Sequence, residues 1–193
     1  MAFGKLFVVS APSGTGKTCL VNEVLEECGK KAFLKRAITY TTRPPREGEV
    51  DGEHYHFVSV DEFKEKIDQE YFLEWSTWYD HYYGSPVSLL KHIQEGKSFI
   101  IIVDRPGAKD IVNAYKYARL IWIEPPSLEA LKERLVKRGK DSEATIENRL
   151  RKAAIEIEEE KEEQFYDFHV INDDYEVAKK EMVTIFNQVL GIR

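Results

Sequence analysis

The chain has 193 residues, 42% of them hydrophobic and 32% charged, which suits a single domain with a sizeable core. A formal net charge of -6 excludes a protein that coats nucleic acid through a basic surface, so any anion site has to be local. No apolar run reaches the length of a membrane span, and the first strand follows the N-terminus with no signal peptide. The two cysteines, Cys19 and Cys28, sit about 13 Å apart along one predicted helix, as free thiols in a reducing cytosol would.

The elements follow in chain order. LFVVS (6 to 10) reads as a short buried strand, and residues 17 to 28 read as a helix because apolar residues recur at 20, 21, 24 and 25. Residues 37 to 85 differ in character. Aromatic side chains, a TTRPP turn and short alternating pieces such as HYHFVSV predict a small mixed or antiparallel β insertion, with helices over 61 to 69 and, just beyond it, 86 to 95. SFIIIVD (98 to 104), RLIWIE (119 to 124) and FHVIND (168 to 173) are further strands whose continuous apolar runs predict burial on both faces. Helical patterns at 107 to 114, 127 to 138, 143 to 166 and 175 to 190 alternate with them. The expected fold is therefore α/β, a three-layer sandwich around a parallel sheet. The expected organisation is one domain, with core segments 1 to 36, 86 to 125 and 150 to 193, the insertion at 37 to 85 and a lid at 126 to 149.

Between the first strand and first helix lies APSGTGKT (Ala11, Pro12, Ser13, Gly14, Thr15, Gly16, Lys17, Thr18). Strand, glycine loop and helix form the context of a phosphate loop. Gly14 and Gly16 allow backbone conformations closed to residues with a Cβ, so that successive N–H groups point at phosphate oxygens beside a helix N-terminus. Lys17 would reach the β- and γ-phosphates of ATP and Thr18 would ligate Mg²⁺. The usual first glycine is Ala11. Asp104, at the carboxyl end of a buried strand, stands where such proteins place a carboxylate assisting Mg²⁺; a helix N-cap before Pro106 and Gly107 is the other reading, and the two are compatible.

Arg43 and Arg46 flank the rigid Pro44-Pro45 turn, where two guanidinium groups could grip a phosphate. By itself an Arg-x-x-Arg pair equally describes a solvated loop. RLVKRG (134 to 139), followed by Arg149, reads as a hinged arginine-bearing flap or as a cationic surface helix. The run EIEEEKEE (156 to 163) reads as a solvated acidic face with no chemical role, and five scattered histidines give no metal-ligand spacing.

Together these motifs make the chain resemble the guanylate kinase family almost end to end, through KLFVVSAPSGTGKT (5 to 18), TTRPPREGEVDGEHYHF (41 to 57), FLEW (72 to 75), YYGS (82 to 85), RLVKRGKDSEATIENRL (134 to 150) and VIND (170 to 173). The resemblance implies a phosphate-loop NTPase fold, phosphoryl transfer from ATP to GMP with Mg²⁺, and dGMP as a further acceptor. It implies that Arg43, Arg46, Tyr55 and Tyr83 hold the acceptor phosphate. It assigns Thr39, Glu74 and Ser85 to the guanine, with Gly84 and Asp104 in the same pocket. Arg134, Arg138 and Arg149 become lid arginines acting on the transferring phosphoryl group beside Lys17, and Asn172 becomes an adenine contact. The implied partners are small-molecule nucleotides, with no nucleic acid or membrane, for a cytoplasmic monomer or small homo-oligomer.

The chain departs from the family pattern after the buried strand. Anchored on Gly107-Ala108, Ile102 stands where the first of two aspartates is expected, and Arg105-Pro106 replace the usual residues. Thr39 replaces a common serine and keeps its hydroxyl. Two other functions are consistent with parts of the pattern. A scaffold module binding a phosphorylated or acidic segment is disfavoured by the intact GTGKT loop, and a kinase for another monophosphate is disfavoured by Glu74. A GTPase switch lacks its Asn-Lys-x-Asp reader.

Overall fold

The computed structural model describes residues 3–78, 80–139 and 141–192, so one residue each of the expected insertion (Tyr79) and lid (Lys140), and the terminal Met1, Ala2 and Arg193 of the expected core, lie outside the described residues. The elements run β1 (Leu6–Ser10), α1 (Lys17–Cys28), β2 (Leu34–Arg36), β3 (Thr39–Thr41), β4 (Tyr55–Phe57), α2 (Val60–Asp68), β5 (Phe72–Trp78), β6 (His81–Pro86), α3 (Leu89–Gln94), β7 (Ser98–Ile102), α4 (Arg105–Ala114), β8 (Arg119–Glu124), α5 (Leu128–Arg138), α6 (Glu143–Glu163), β9 (Phe168–Ile171) and α7 (Tyr175–Leu190).

Five strands form a parallel sheet in the order β2-β7-β1-β8-β9, with β1 central and paired on both sides. The alternation of side chains along β1 explains the two layers around it. Phe7 and Val9 face α1 and α7, in a cluster with Leu20, Val24, Met182 and Phe186, and the Phe7 and Phe186 rings stack at 4.1 Å. Leu6 and Val8 face the other side, among Ile93, Ile111, Trp122 and Tyr166. Successive strands leave β1 in opposite directions, which opens a crevice at their carboxyl ends, and the glycine loop, Asp104 and the end of β8 all lie there.

Three points of the sequence reading need correction. The strand at 168 to 173 ends at Ile171 and is an edge, with Val170 buried but His169 and Ile171 exposed or half-exposed, because β8 pairs it on one side only. A fifth strand, β2, pairs with β7 at the opposite edge; three residues reading LKR carry no apolar run to announce it. The helix expected from 107 starts at Arg105, since Pro106 is compatible with a first turn and Asp104 caps it by accepting from the Gly107 N–H at 2.9 Å.

Residues 39 to 86 carry a separate four-stranded sheet, β4-β3-β6-β5, in which β3 pairs parallel with β4 and antiparallel with β6. It is mixed, one of the two arrangements, mixed or antiparallel, left open by the sequence. The helix α2 closes one side of this sheet through Phe63, fully buried and stacked on Phe72 at 4.5 Å. Among the described residues no helix is long and apolar enough to cross a membrane.

Candidate active site

The parallel sheet and the smaller mixed sheet face each other across a cleft of about 560 Å³. On the core side lie Ala11, Ser13, Lys17, Thr18 and Asp104. Gly14 and Gly16 both take φ of +97°, the left-handed region open to glycine at low cost. Lys17, the first residue of α1, folds back so that its ammonium donates to the Ala11 carbonyl. Burial lowers its pKa to about 8, against the pull of the Glu156 and Asp104 carboxylates. A phosphate beside the ammonium would raise it again.

The opposite wall comes from the mixed sheet. Glu74 on β5 is 6% exposed and accepts from the Ser85 hydroxyl on the neighbouring β6 at 2.6 Å. Burial is the main reason its carboxyl rises to about 7, and Asp104 and Asp110 add to the shift; the Ser85 bond works against it. Close approach of the two walls explains Gly107. A Cβ there would stand 3.0 Å from both Glu74 Oε2 and Asp104 Oδ1, so any side chain at this position would have to displace one or both carboxylates. Thr39 and Gly84 line the same end of the cleft.

Between these walls, Arg43, Arg46, Tyr55 and Tyr83 line one region of the cleft. The Arg43 guanidinium lies over the Tyr55 ring at 5.6 Å and is bonded to Glu49 Oε1 at 2.9 Å. Glu49 Oε2 also accepts from the Arg46 N–H at 2.7 Å. This glutamate, which sequence reasoning missed, thus ties the two arginine positions together across the Pro44-Pro45 turn.

The structure separates the remaining sequence candidates. Arg138 lines the cleft. Arg149 reaches the phosphate loop, with Nη1 donating to Ser13 Oγ at 3.4 Å and pairing with Asp141 at 3.1 Å. Arg134 instead donates to the Asn172 carbonyl at 2.7 Å, and the Asn172 side-chain amide is buried and donates to the Thr15 carbonyl at 2.6 Å. Pro12 and Thr15 form the inner turn of the loop, where the Thr15 N–H and hydroxyl both donate to the Pro12 carbonyl. Glu156, from the acidic run given no role above, lines the cleft opposite Lys17 and Asp104, and burial lifts its carboxyl above the usual range while Lys17 pulls it down. Its signal in the sequence was a helical phase seven residues from Arg149.

The donor set near Lys17 consists of the Thr18 hydroxyl and the Asp104 and Glu156 carboxylates. Hard oxygens in this number suit Mg²⁺, which takes one or two carboxylates and completes its shell with water and nucleotide phosphates. Among the described residues no three His, Cys, Asp or Glu side chains are grouped to hold a metal by themselves.

The family described as guanylate kinase matches residues 3–189. The chain belongs to the guanylate kinase family. It is 40% identical to a guanylate kinase of Shewanella sp. (strain MR-7) and 43% identical to one of Neisseria gonorrhoeae (strain ATCC 700825 / FA 1090), each over 95% of this chain and 87% of the relative. The guanylate kinase fold of Anaplasma phagocytophilum superposes with a TM-score of 0.75 at 26% identity, covering 98% of this chain and 87% of that one. A gluconokinase of Sinorhizobium meliloti 1021, at 14% identity and a TM-score of 0.52, shares the fold alone. As a guanylate kinase family member the chain is a kinase, and the family's reaction is the ATP-dependent phosphorylation of GMP to GDP.

Proposed function

We propose that this chain transfers the γ-phosphoryl group of ATP in line to the phosphate of GMP, with Mg²⁺ bound, and that dGMP is a second acceptor. The observation that carries the reading is a single cleft with a glycine phosphate loop at one end and a buried carboxylate, Glu74, at the other. Guanine presents N1–H and N2–H₂ side by side, and a carboxylate accepts both; O6 is left for a hydroxyl such as that of Thr39 or Ser85. Arg43, Arg46, Tyr55 and Tyr83 would then hold the acceptor phosphate, with Glu49 released from Arg43 as the anion arrives.

The loop amides from Gly14 to Thr18 and the Lys17 ammonium hold the β- and γ-phosphates, and Arg138 and Arg149 approach from the helical arm. No strong base is required, because an acceptor phosphate oxygen is already an ionised nucleophile; alignment and charge stabilisation supply the rate. Magnesium, held by Thr18 and Asp104, would neutralise charge on the β- and γ-phosphates. Asn172 and Arg134 support the reading less directly, by bracing the loop on which the donor rests. The free Cys19 and Cys28 thiols agree with a cytoplasmic setting.

A coupled ADP-release assay with ATP-Mg²⁺ and GMP, dGMP, AMP, UMP or CMP offered separately tests this, with turnover expected for the two guanine nucleotides; none with any acceptor defeats it. Ile102 lines the cleft as an apolar wall and packs on the core. Ile102→Asp is expected to raise kcat/KM for GMP several-fold while lowering unfolding stability by about 1–3 kcal/mol, since it sets a third carboxylate beside Asp104 and Glu156. Steady-state kinetics and urea unfolding read the two effects; an unchanged kcat/KM assigns the wall no part in acceptor use.

A further inference from the structure

The acidic run of α6 is solvated along most of its length, but Glu160 is buried and Glu159 and Glu163 reach inward from half-exposed positions. Arg105, at the first position of α4, is 2% exposed, and its guanidinium is surrounded by that run. Nη1 donates to Glu159 Oε2 at 3.2 Å, and Nη2 donates to Glu160 Oε2 at 3.1 Å, to Glu163 Oε2 at 2.9 Å and to the Glu159 carbonyl at 3.2 Å. Glu160 is 3% exposed and its other oxygen accepts from the Tyr166 N–H at 3.1 Å and from His169 Nε2 at 2.9 Å. Lys109, one turn along α4, pairs with Glu163 at 2.7 Å.

A buried ion cluster of this kind contributes little net stability, because desolvation of the charges offsets their attraction. What it does supply is a fixed orientation. Arg149, Ala153, Glu156, Glu160 and Glu163 follow one another at intervals of four, three, four and three residues, which places them on one face of α6. Of these, Glu156 lines the cleft and Arg149 reaches Ser13 of the phosphate loop, while Glu160 lies about 16 Å along the axis from Arg149. A rotation of α6 about its axis that lost the Arg105 contacts would carry Arg149 and Glu156 off the phosphates as well. Arg105 also adjoins Asp104, so the same two residues join the carboxylate of the core to the helix that carries the arginine.

We propose that Arg105 is a positioning residue for phosphoryl transfer, fixing the rotational setting of α6 and through it the placement of Arg149 and Glu156 against the phosphate loop. The inference rests on the reading of the cleft given above. It also gives a function to the departure at Arg105-Pro106, which no local pattern explains.

The test is a comparison of backgrounds. Arg105→Lys keeps the charge but loses the planar fork, and Glu159→Gln/Glu163→Gln removes two half-exposed partners while leaving Glu160 paired. In the otherwise unchanged enzyme either variant is expected to lower kcat about 10-fold with the KM values for GMP and ATP within about twofold, as loss of alignment does. In an Arg149→Ala/Glu156→Gln background the same change is expected to cost less than about twofold, because the groups it positions are already gone. An equal fold loss in both backgrounds, or an unchanged kcat with only a lowered Tm, overturns the proposal and leaves Arg105 a structural residue. Should Arg105→Lys fail to fold, the double glutamine variant decides by the same criteria. Absence of turnover in the unsubstituted enzyme would count against the reading of the cleft, and the two failures are thereby distinguished.

Discussion

Lys17→Ala is expected to reduce kcat by roughly 10²–10³-fold or more, the scale seen when a preorganised charge aimed at the transition state is removed. The ammonium donates to the carbonyl of Ala11 in its own loop, with the Glu156 and Asp104 carboxylates pulling on it from the cleft, and it sits where burial depresses its pKa to about 8. A lysine whose folded pKa lies below its unfolded value costs stability wherever it must stay protonated, that is, below about pH 8, and the cost fades as pH rises toward the unfolded value near 10.5. Removing it should therefore leave Tm at pH 7 unchanged or slightly higher while turnover disappears. Kinetics and thermal unfolding on the same preparation check this; retention of more than about a tenth of kcat, against the loss expected for such a charge, would contradict the phosphate role.

Glu74→Gln is expected to cut the preference for GMP over AMP by about 10²-fold or more, as befits a buried polar reader confronted with the wrong pattern of donors and acceptors. The amide keeps one acceptor and gains donors, which suits the N1 acceptor and N6 amino group of adenine and opposes the two donors of guanine. The substitution has a second, independent signature. Glu74 titrates near 7 in the folded chain against 4.5 ordinarily, so the fold favours the protonated form. The sign is that of a raised carboxyl: the favourable contribution is complete below pH 4.5 and is lost as pH rises through 7. Glutamine does not titrate, so the variant should gain on the parent progressively between those values, by an order of 3 kcal/mol at the alkaline end. GMP, which needs the carboxylate, should bind the parent more tightly as pH rises through 7, and the variant should show no such limb. Selectivity ratios, together with Tm against pH, examine both; unchanged selectivity removes Glu74 from base recognition.

Much of this architecture was legible locally. Runs such as LFVV and FIII are apolar throughout because both faces are covered, and the glycine loop announces itself by residue type and spacing. The 37 to 85 insertion was legible as a small β unit, but the choice between mixed and antiparallel came only from the parallel pairing of β3 with β4. What escaped was set by distant partners. β2 has only three residues and owes its existence to β7, more than sixty positions later. Glu160 reads as solvated with the rest of its run because such runs usually are; it is buried against one guanidinium 55 residues away, which Glu159 and Glu163 also contact. Glu49 was invisible for a different reason: a glutamate in a charged loop carries no periodic signal, and only the fold shows that it bonds Arg43. The resemblance implies Arg134 and Asn172 as nucleotide contacts; the bonds from Arg134 to the Asn172 and Asp173 carbonyls and from the Asn172 amide to Thr15 are a further feature that no local pattern signals.

Gly14 meets more than phosphate. A Cβ there would lie 2.8 Å from the Leu135 side chain and 3.1 Å from that of Leu131, both buried residues of α5. The turn proposed to cradle the donor is also the seat on which the helical arm, through α5, rests, so the two cannot be varied separately at that position. Any enlargement would wedge the arm upward and disturb the cradle in the same stroke, coupling how tightly the triphosphate is held to how far the cleft stands open.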